Sequence, residues 1–123
     1  MLDVKVLLSN ICQAIYSLFV KQYYSISWGG TTVTLVKRGT VVHGCIWNPR
    51  TVAAGQNNIG TLPEGWRPMN DVVWTAKGPN SNSSGVEIRY TINTSGAFTV
   101  YNYGSAWTNR DSNITASFMY IVA

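Results

Sequence analysis

Apolar residues recur with two different periods along this chain, and the change of period falls at Gln22. Between residues 4 and 22, Val4, Leu8, Ile11, Ile15 and Leu18 alternate spacings of four and three. That places them on one stripe of a helix with the repeat of a coiled-coil seam, and Leu7, Cys12 and Phe19 widen the stripe on its flank. Isoleucine at the consecutive core positions 11 and 15 favours three strands over two. Three heptads are marginal alone, so such a stem needs support from the domain beyond it. The same stripe suits a single amphipathic helix packed on its own domain, and the pattern leaves both arrangements open.

Beyond Gln22 the period falls to two, and glycine, threonine, asparagine and aromatic residues dominate. The pattern predicts strands at 23–28, 32–37, 40–47, 59–62, 72–76, 86–92, 97–101 and 114–122. In the sixth, Val86, Ile88, Tyr90 and Ile92 alternate with Glu87, Arg89, Thr91 and Asn93, as in a sheet with one wet face. The eighth alternates likewise through Ile114, Ala116, Phe118, Tyr120 and Val122. Arg38-Gly39 predicts a tight hairpin between the second and third strands, and Asn93-Thr94-Ser95-Gly96 another between the sixth and seventh. Eight short strands separated by turns predict a mostly β chain, an antiparallel, jelly-roll-like β-sandwich. The chain thus divides into a helical stem at 1–22 and a β head at 23–123, with no internal repeat.

One connection stands apart. Thr61-Leu62-Pro63-Glu64-Gly65-Trp66-Arg67-Pro68 holds two prolines, a glycine and a tryptophan. The prolines fix φ, lack amide donors and bias Leu62 and Arg67 toward extended geometry, and Gly65 lets the backbone turn. Trp66 brings a large apolar side chain to a place that is otherwise polar in loops, so this segment reads as a rigid crossing anchored by its indole.

Composition sharpens the picture. The chain has 123 residues, one domain's worth, with 46% hydrophobic and 11% charged residues, about half the usual share of charge. A surface so poor in charge is either covered by other subunits or neutral and rich in Ser, Thr and Asn. The net charge is +4 and the nine basic residues are scattered, whereas nucleic-acid binders concentrate them on one face; no nucleic-acid partner is expected. Cys12 and Cys45 form no CxxC motif and His43 is the single histidine, too few ligands for zinc, so no metal or cofactor is expected. Both cysteines are expected free and buried, as suits a reducing compartment. Ser9, Asn10 and Gln13 interrupt the first apolar run, which argues against a signal peptide or an inserted span of about 20 apolar residues.

In the order strand, Leu62-Pro63-Glu64-Gly65-Trp66-Arg67-Pro68, strand, Ile92-Asn93-Thr94-Ser95-Gly96-Ala97-Phe98-Thr99-Val100-Tyr101, then Ser117-Phe118-Met119-Tyr120-Ile121-Val122, residues 25–123 resemble the C-terminal receptor-binding heads of bacteriophage tail fibres and baseplates. The resemblance implies a homotrimeric head on a coiled-coil stem at the tip of a virion, made in the bacterial host cytoplasm. It also implies that the head binds a host cell-surface polysaccharide and contacts other tail or baseplate proteins, with any virion-attachment domain outside this chain. Residues 62–68 then belong to the scaffold. Binding loops vary among such heads, so the resemblance transfers no ligand residue.

The residues themselves suggest a site. Saccharide binding uses aromatic faces against apolar sugar faces and planar polar groups against hydroxyls, and residues 101–113 supply both in one irregular stretch, the usual setting for recognition. Tyr103, an exposed Trp107, Asn109, Arg110 and Asp111 are the expected contacts, unless Tyr103 and Trp107 pack beneath the loop or into a neighbour. The polar segment 48–58, with Trp47 at its mouth, is a second candidate, Trp47 itself being expected in a core or interface. Residues 80–85 are polar with little to stack on, and His43 reads as a structural strand residue. No catalytic residue is expected. Asp3, Glu64, Asp71, Glu87 and Asp111 do not cluster in sequence, whereas a glycosidase pair must meet about 5 to 10 Å apart, and no nucleophile elbow, phosphate-binding loop or dinucleotide fingerprint occurs. A fibre cap that binds no receptor, or a small polysaccharide-degrading enzyme, are the competing readings.

Overall fold

In the computed structural model, which describes residues 3–77, 87–108 and 115–123, the change of period at Gln22 is a change from helix to sheet. Helix α1 spans Val4–Phe19. Asp3 caps it, its carboxylate accepting from the Lys5 amide at 2.9 Å and the Val6 amide at 3.5 Å, which satisfies donors with no intrahelical partner. The helix does not lay its stripe on the head: Val4, Leu8, Ile11, Ile15 and Leu18 stay 45–62% exposed. Only the last turn reaches the sheets, where Leu18 closes on Gly39.

Among the described residues the helix gives way to eight strands: β1 (Gln22–Trp28), β2 (Thr31–Arg38), β3 (Val41–Trp47), β4 (Gly55–Thr61), β5 (Val72–Lys77), β6 (Glu87–Ile92), β7 (Ala97–Asn102) and β8 (Thr115–Ile121). They form two antiparallel four-stranded sheets, ordered β1-β2-β3-β8 and β4-β7-β6-β5. The jelly-roll expectation fails in its strand order. A jelly roll interleaves two Greek keys; here tight turns keep β1, β2 and β3 side by side, and only the second sheet has Greek-key order. The hairpin expected at Arg38-Gly39 turns one residue later, since Arg38 still pairs with Val41. The turn at 93–96 lies where the sequence puts it: the Asn93 side-chain oxygen accepts from the Ser95 and Ala97 amides at 3.1 and 3.0 Å.

The two sheets face each other across one core. Val33, Leu35, Val42, Ile46 and Phe118 from the first meet Ile59, Ile88, Tyr90, Ile92, Phe98 and Val100 from the second. Its centre is aromatic: Phe118 stacks on Trp74 at 4.4 Å and meets Phe98 edge-on at 5.6 Å, pairings worth about 0.5–1.5 kcal/mol each beyond burial. Gly44 makes room for this, because a Cβ there would overlap the Phe118 ring. A glycine that weakens a strand interior is retained where another group must approach closely.

Residues 62–68 join the sheets as the prolines suggest. The Leu62 amide donates to Gly96 at 2.8 Å, while the Met69 amide donates to Ile121 and the Ala123 amide to Arg67 at 2.8 and 3.0 Å. Trp66 packs on Tyr24, ring centres 5.7 Å apart. Lys37 lies over its ring at 4.6 Å and donates to the Gly65 carbonyl at 2.6 Å, its pKa lowered by desolvation. The Tyr120 hydroxyl donates to the Trp66 carbonyl at 2.6 Å. The segment is a clamp, with the carbonyls of Leu62, Pro63, Gly65, Trp66 and Arg67 occupied internally.

Candidate functional site

The two sheets turn unlike faces outward. On the first, Tyr23, Val36, Val41, Trp47, Met119 and Ile121 share the outer side with His43, Cys45, Thr34, Arg38 and Ser117. Trp47 is 66% exposed, so of its two expected places, core or interface, the core is overturned: strand alternation sends Val42, Gly44 and Ile46 inward and odd-numbered residues out. An open hollow of about 580 Å³ lies here, around His43, Cys45, Ser117 and Met119. Neither cysteine is buried as expected, Cys12 being exposed and Cys45 half-buried, and both are free thiols.

The second sheet's outer face is polar. Adjacent strands bring Gln56, Tyr101, Arg89 and Thr75 into one row, and Asn58, Thr99, Thr91 and Val73 into the next. A hollow of about 220 Å³ opens among them, lined by Gln56, Arg89, Thr91, Thr99, Tyr101 and Tyr103. The two tyrosine rings lie 4.5 Å apart, tilted by 47°, and are 43% and 55% exposed. The result is a shallow cleft with two phenol rings, an amide, a guanidinium and two threonine hydroxyls.

Tyr103 lies past the end of β7, yet it is held firmly. Asn102 between the tyrosines points inward and is 2% exposed. Its side-chain oxygen accepts from the Gly104 amide at 2.9 Å, and its amide nitrogen donates to the Ser105 carbonyl at 3.1 Å, a side chain standing in for backbone partners of the turn. The Tyr103 amide donates to the Glu87 carbonyl at 3.2 Å, fixing the tyrosine beside β6.

Trp107 is not the exposed contact the sequence suggests. It is 7% exposed within the core, its indole N–H donating to the Pro49 carbonyl at 3.1 Å, and its backbone exchanges hydrogen bonds with Val52 at 2.9 and 3.0 Å. Residues 103–108 are thereby stitched to 49–53, and burying the indole with its donor satisfied is favourable. Asn109, Arg110 and Asp111 lie outside the described residues, as do residues 80–85. Of the expected contacts, Tyr103 is therefore the one placed in the cleft. Gln56 comes from the second candidate segment, whose residues 55–58 begin β4. Arg89, Thr91, Thr99 and Tyr101 are visible in the sequence only as the wet side of alternating strands, which does not distinguish a site from ordinary solvated surface.

Among the described residues no three metal-ligating side chains cluster, and no helix is long and apolar enough to cross a membrane. No protein-family model and no curated protein matches this chain.

Proposed function

We propose that this chain is a saccharide-binding head on a helical stem, assembled as a homotrimer at the tip of a phage tail fibre or baseplate, where it holds host cell-surface polysaccharide. The observation that carries the reading is the cleft of Tyr101, Tyr103, Gln56, Arg89, Thr91 and Thr99 on the polar sheet. Two tilted rings offer stacking surfaces to the C–H faces of a sugar, and amide, guanidinium and hydroxyl groups meet its hydroxyls. Rigid strands carry all but Tyr103, so little backbone ordering opposes binding.

Trimer assembly has separate support. The exposed stripe of α1 and the exposed Tyr23, Trp47, Met119 and Ile121 on the outer side of the first sheet are apolar surface that assembly would cover, and isoleucine at positions 11 and 15 of the heptad seam favours three strands. Three clefts per head multiply weak single contacts.

Glycan-array and host-cell binding by the intact oligomer tests the reading. Tyr103→Ala and Tyr101→Ala should each abolish retention on the bound glycans while leaving the melting temperature close to that of the parent. A folded oligomer that binds no glycan and no cell would instead be a structural cap.

A further inference from the structure

We infer that the saccharide held in this cleft carries an anionic group, a carboxylate or a phosphate, and that Arg89 is the residue that receives it. The inference rests on the saccharide-binding reading and adds the chemical class of the ligand. Arg89 sits on β6, an inner strand of the polar sheet, directly opposite Tyr101 on one side and Thr75 on the other. Among the described residues its guanidinium has no ion pair and no hydrogen bond. Glu87, two residues along the same face of β6, is the nearest acid in the strand and makes no ion pair with it.

An arginine on an outer strand face ordinarily extends into water and needs no partner. This one, although exposed, lines a hollow whose other walls include Tyr101, Tyr103, Gln56, Thr91 and Thr99, so its donors share one cleft with two aromatic rings and several hydroxyls. A planar fork with five donors and no acceptor matches a carboxylate or phosphate through two parallel hydrogen bonds, whereas a neutral sugar hydroxyl uses one of them. The surrounding groups complete a divided site: the tyrosine rings for the sugar's apolar face, Gln56 and the threonines for its hydroxyls, Arg89 for its charge.

The test measures binding of the intact oligomer to matched probes: glycerol phosphate teichoic acid, alginate oligosaccharide, alginate whose carboxylates have been reduced to alcohols, and neutral dextran. Binding to teichoic acid or alginate is expected, distinguishing phosphate from carboxylate. Arg89→Gln should weaken it about 10- to 100-fold, the usual worth of a hydrogen-bonded charge, with Arg89→Lys intermediate and the melting temperature unchanged. Affinity for the charged probe should also fall as salt rises. Equal binding of neutral and charged probes, or an unchanged affinity in Arg89→Gln, would overturn the anionic assignment and leave saccharide binding standing. If the folded oligomer held none of these glycans and no glycan on a broader array, the saccharide reading would fall with it.

Discussion

Trp107 and Tyr103 stand four positions apart in one loop and have opposite fates. The Trp107 indole is turned inward by the backbone exchange with Val52 and the bond to Pro49, while Tyr103 is turned outward by the inward Asn102 beside it. Trp107→Ala should therefore cost about 3–5 kcal/mol of stability, as large-to-small core changes do, measurable by urea unfolding. Tyr103→Ala should cost under about 1 kcal/mol, in the range of surface changes, while removing glycan binding. Gly44→Ala sets a Cβ against Phe118, and overpacking of this kind costs about 1–3 kcal/mol or more; a melting curve as stable as the parent's would mean that the ring moves freely aside. These roles are not legible in the sequence, where Trp107 reads as the better ligand contact because it is the larger aromatic in a polar stretch. Burial of a loop side chain depends on which distant backbone it meets, and Pro49 lies 58 residues away.

At the scale of elements, alternation does most of the work. Residues 32–37, 72–76, 86–92 and 97–101 become strands within a residue or two of the expected ends, because a half-buried strand must repeat every two residues. The exception is β4, expected at 59–62 and found at Gly55–Thr61. Gln56, Asn57 and Asn58 carry no hydrophobic signal, and pairing with β7 draws them in; Asn57 turns its amide to the Ala53 and Gly55 carbonyls at 2.9 and 3.1 Å. Helix α1 makes few contacts beyond Leu18 at Gly39, so deletion of residues 1–20 should leave the head's circular dichroism and melting temperature near those of the whole chain. The same deletion should lower the light-scattering mass from three chains toward one. An unstructured truncated head would place the helix in the fold's own core instead.

For the molecule as a whole, the clamp at 62–68 and the aromatic core set the response to pH. Burial raises the Tyr90 hydroxyl to about 12 and raises that of Tyr120 as well, against about 10 in an unfolded chain. The unfolded chain therefore loses these protons first as pH rises, and the stability that is fully present at lower pH declines from about pH 10 to 12. Thermal melts across that range should show the decline. Tyr120→Phe should flatten it while lowering stability at neutral pH by about 1–3 kcal/mol, since the Trp66 carbonyl loses its donor.

Two periods, one change at Gln22 and the turn chemistry at 93–96 are local properties, and the sequence alone determined from them a helix followed by an antiparallel β head. It also determined that residues 62–68 are a rigid crossing, because proline and glycine restrict the backbone wherever they stand. Which sheet each strand joins, and hence which outer faces are apolar and which polar, only the tertiary structure decided, since sheet order depends on contacts between residues far apart in the chain. The cleft is of this kind: Gln56, Arg89, Thr99 and Tyr101 come from three strands, and no spacing in the sequence records that they meet.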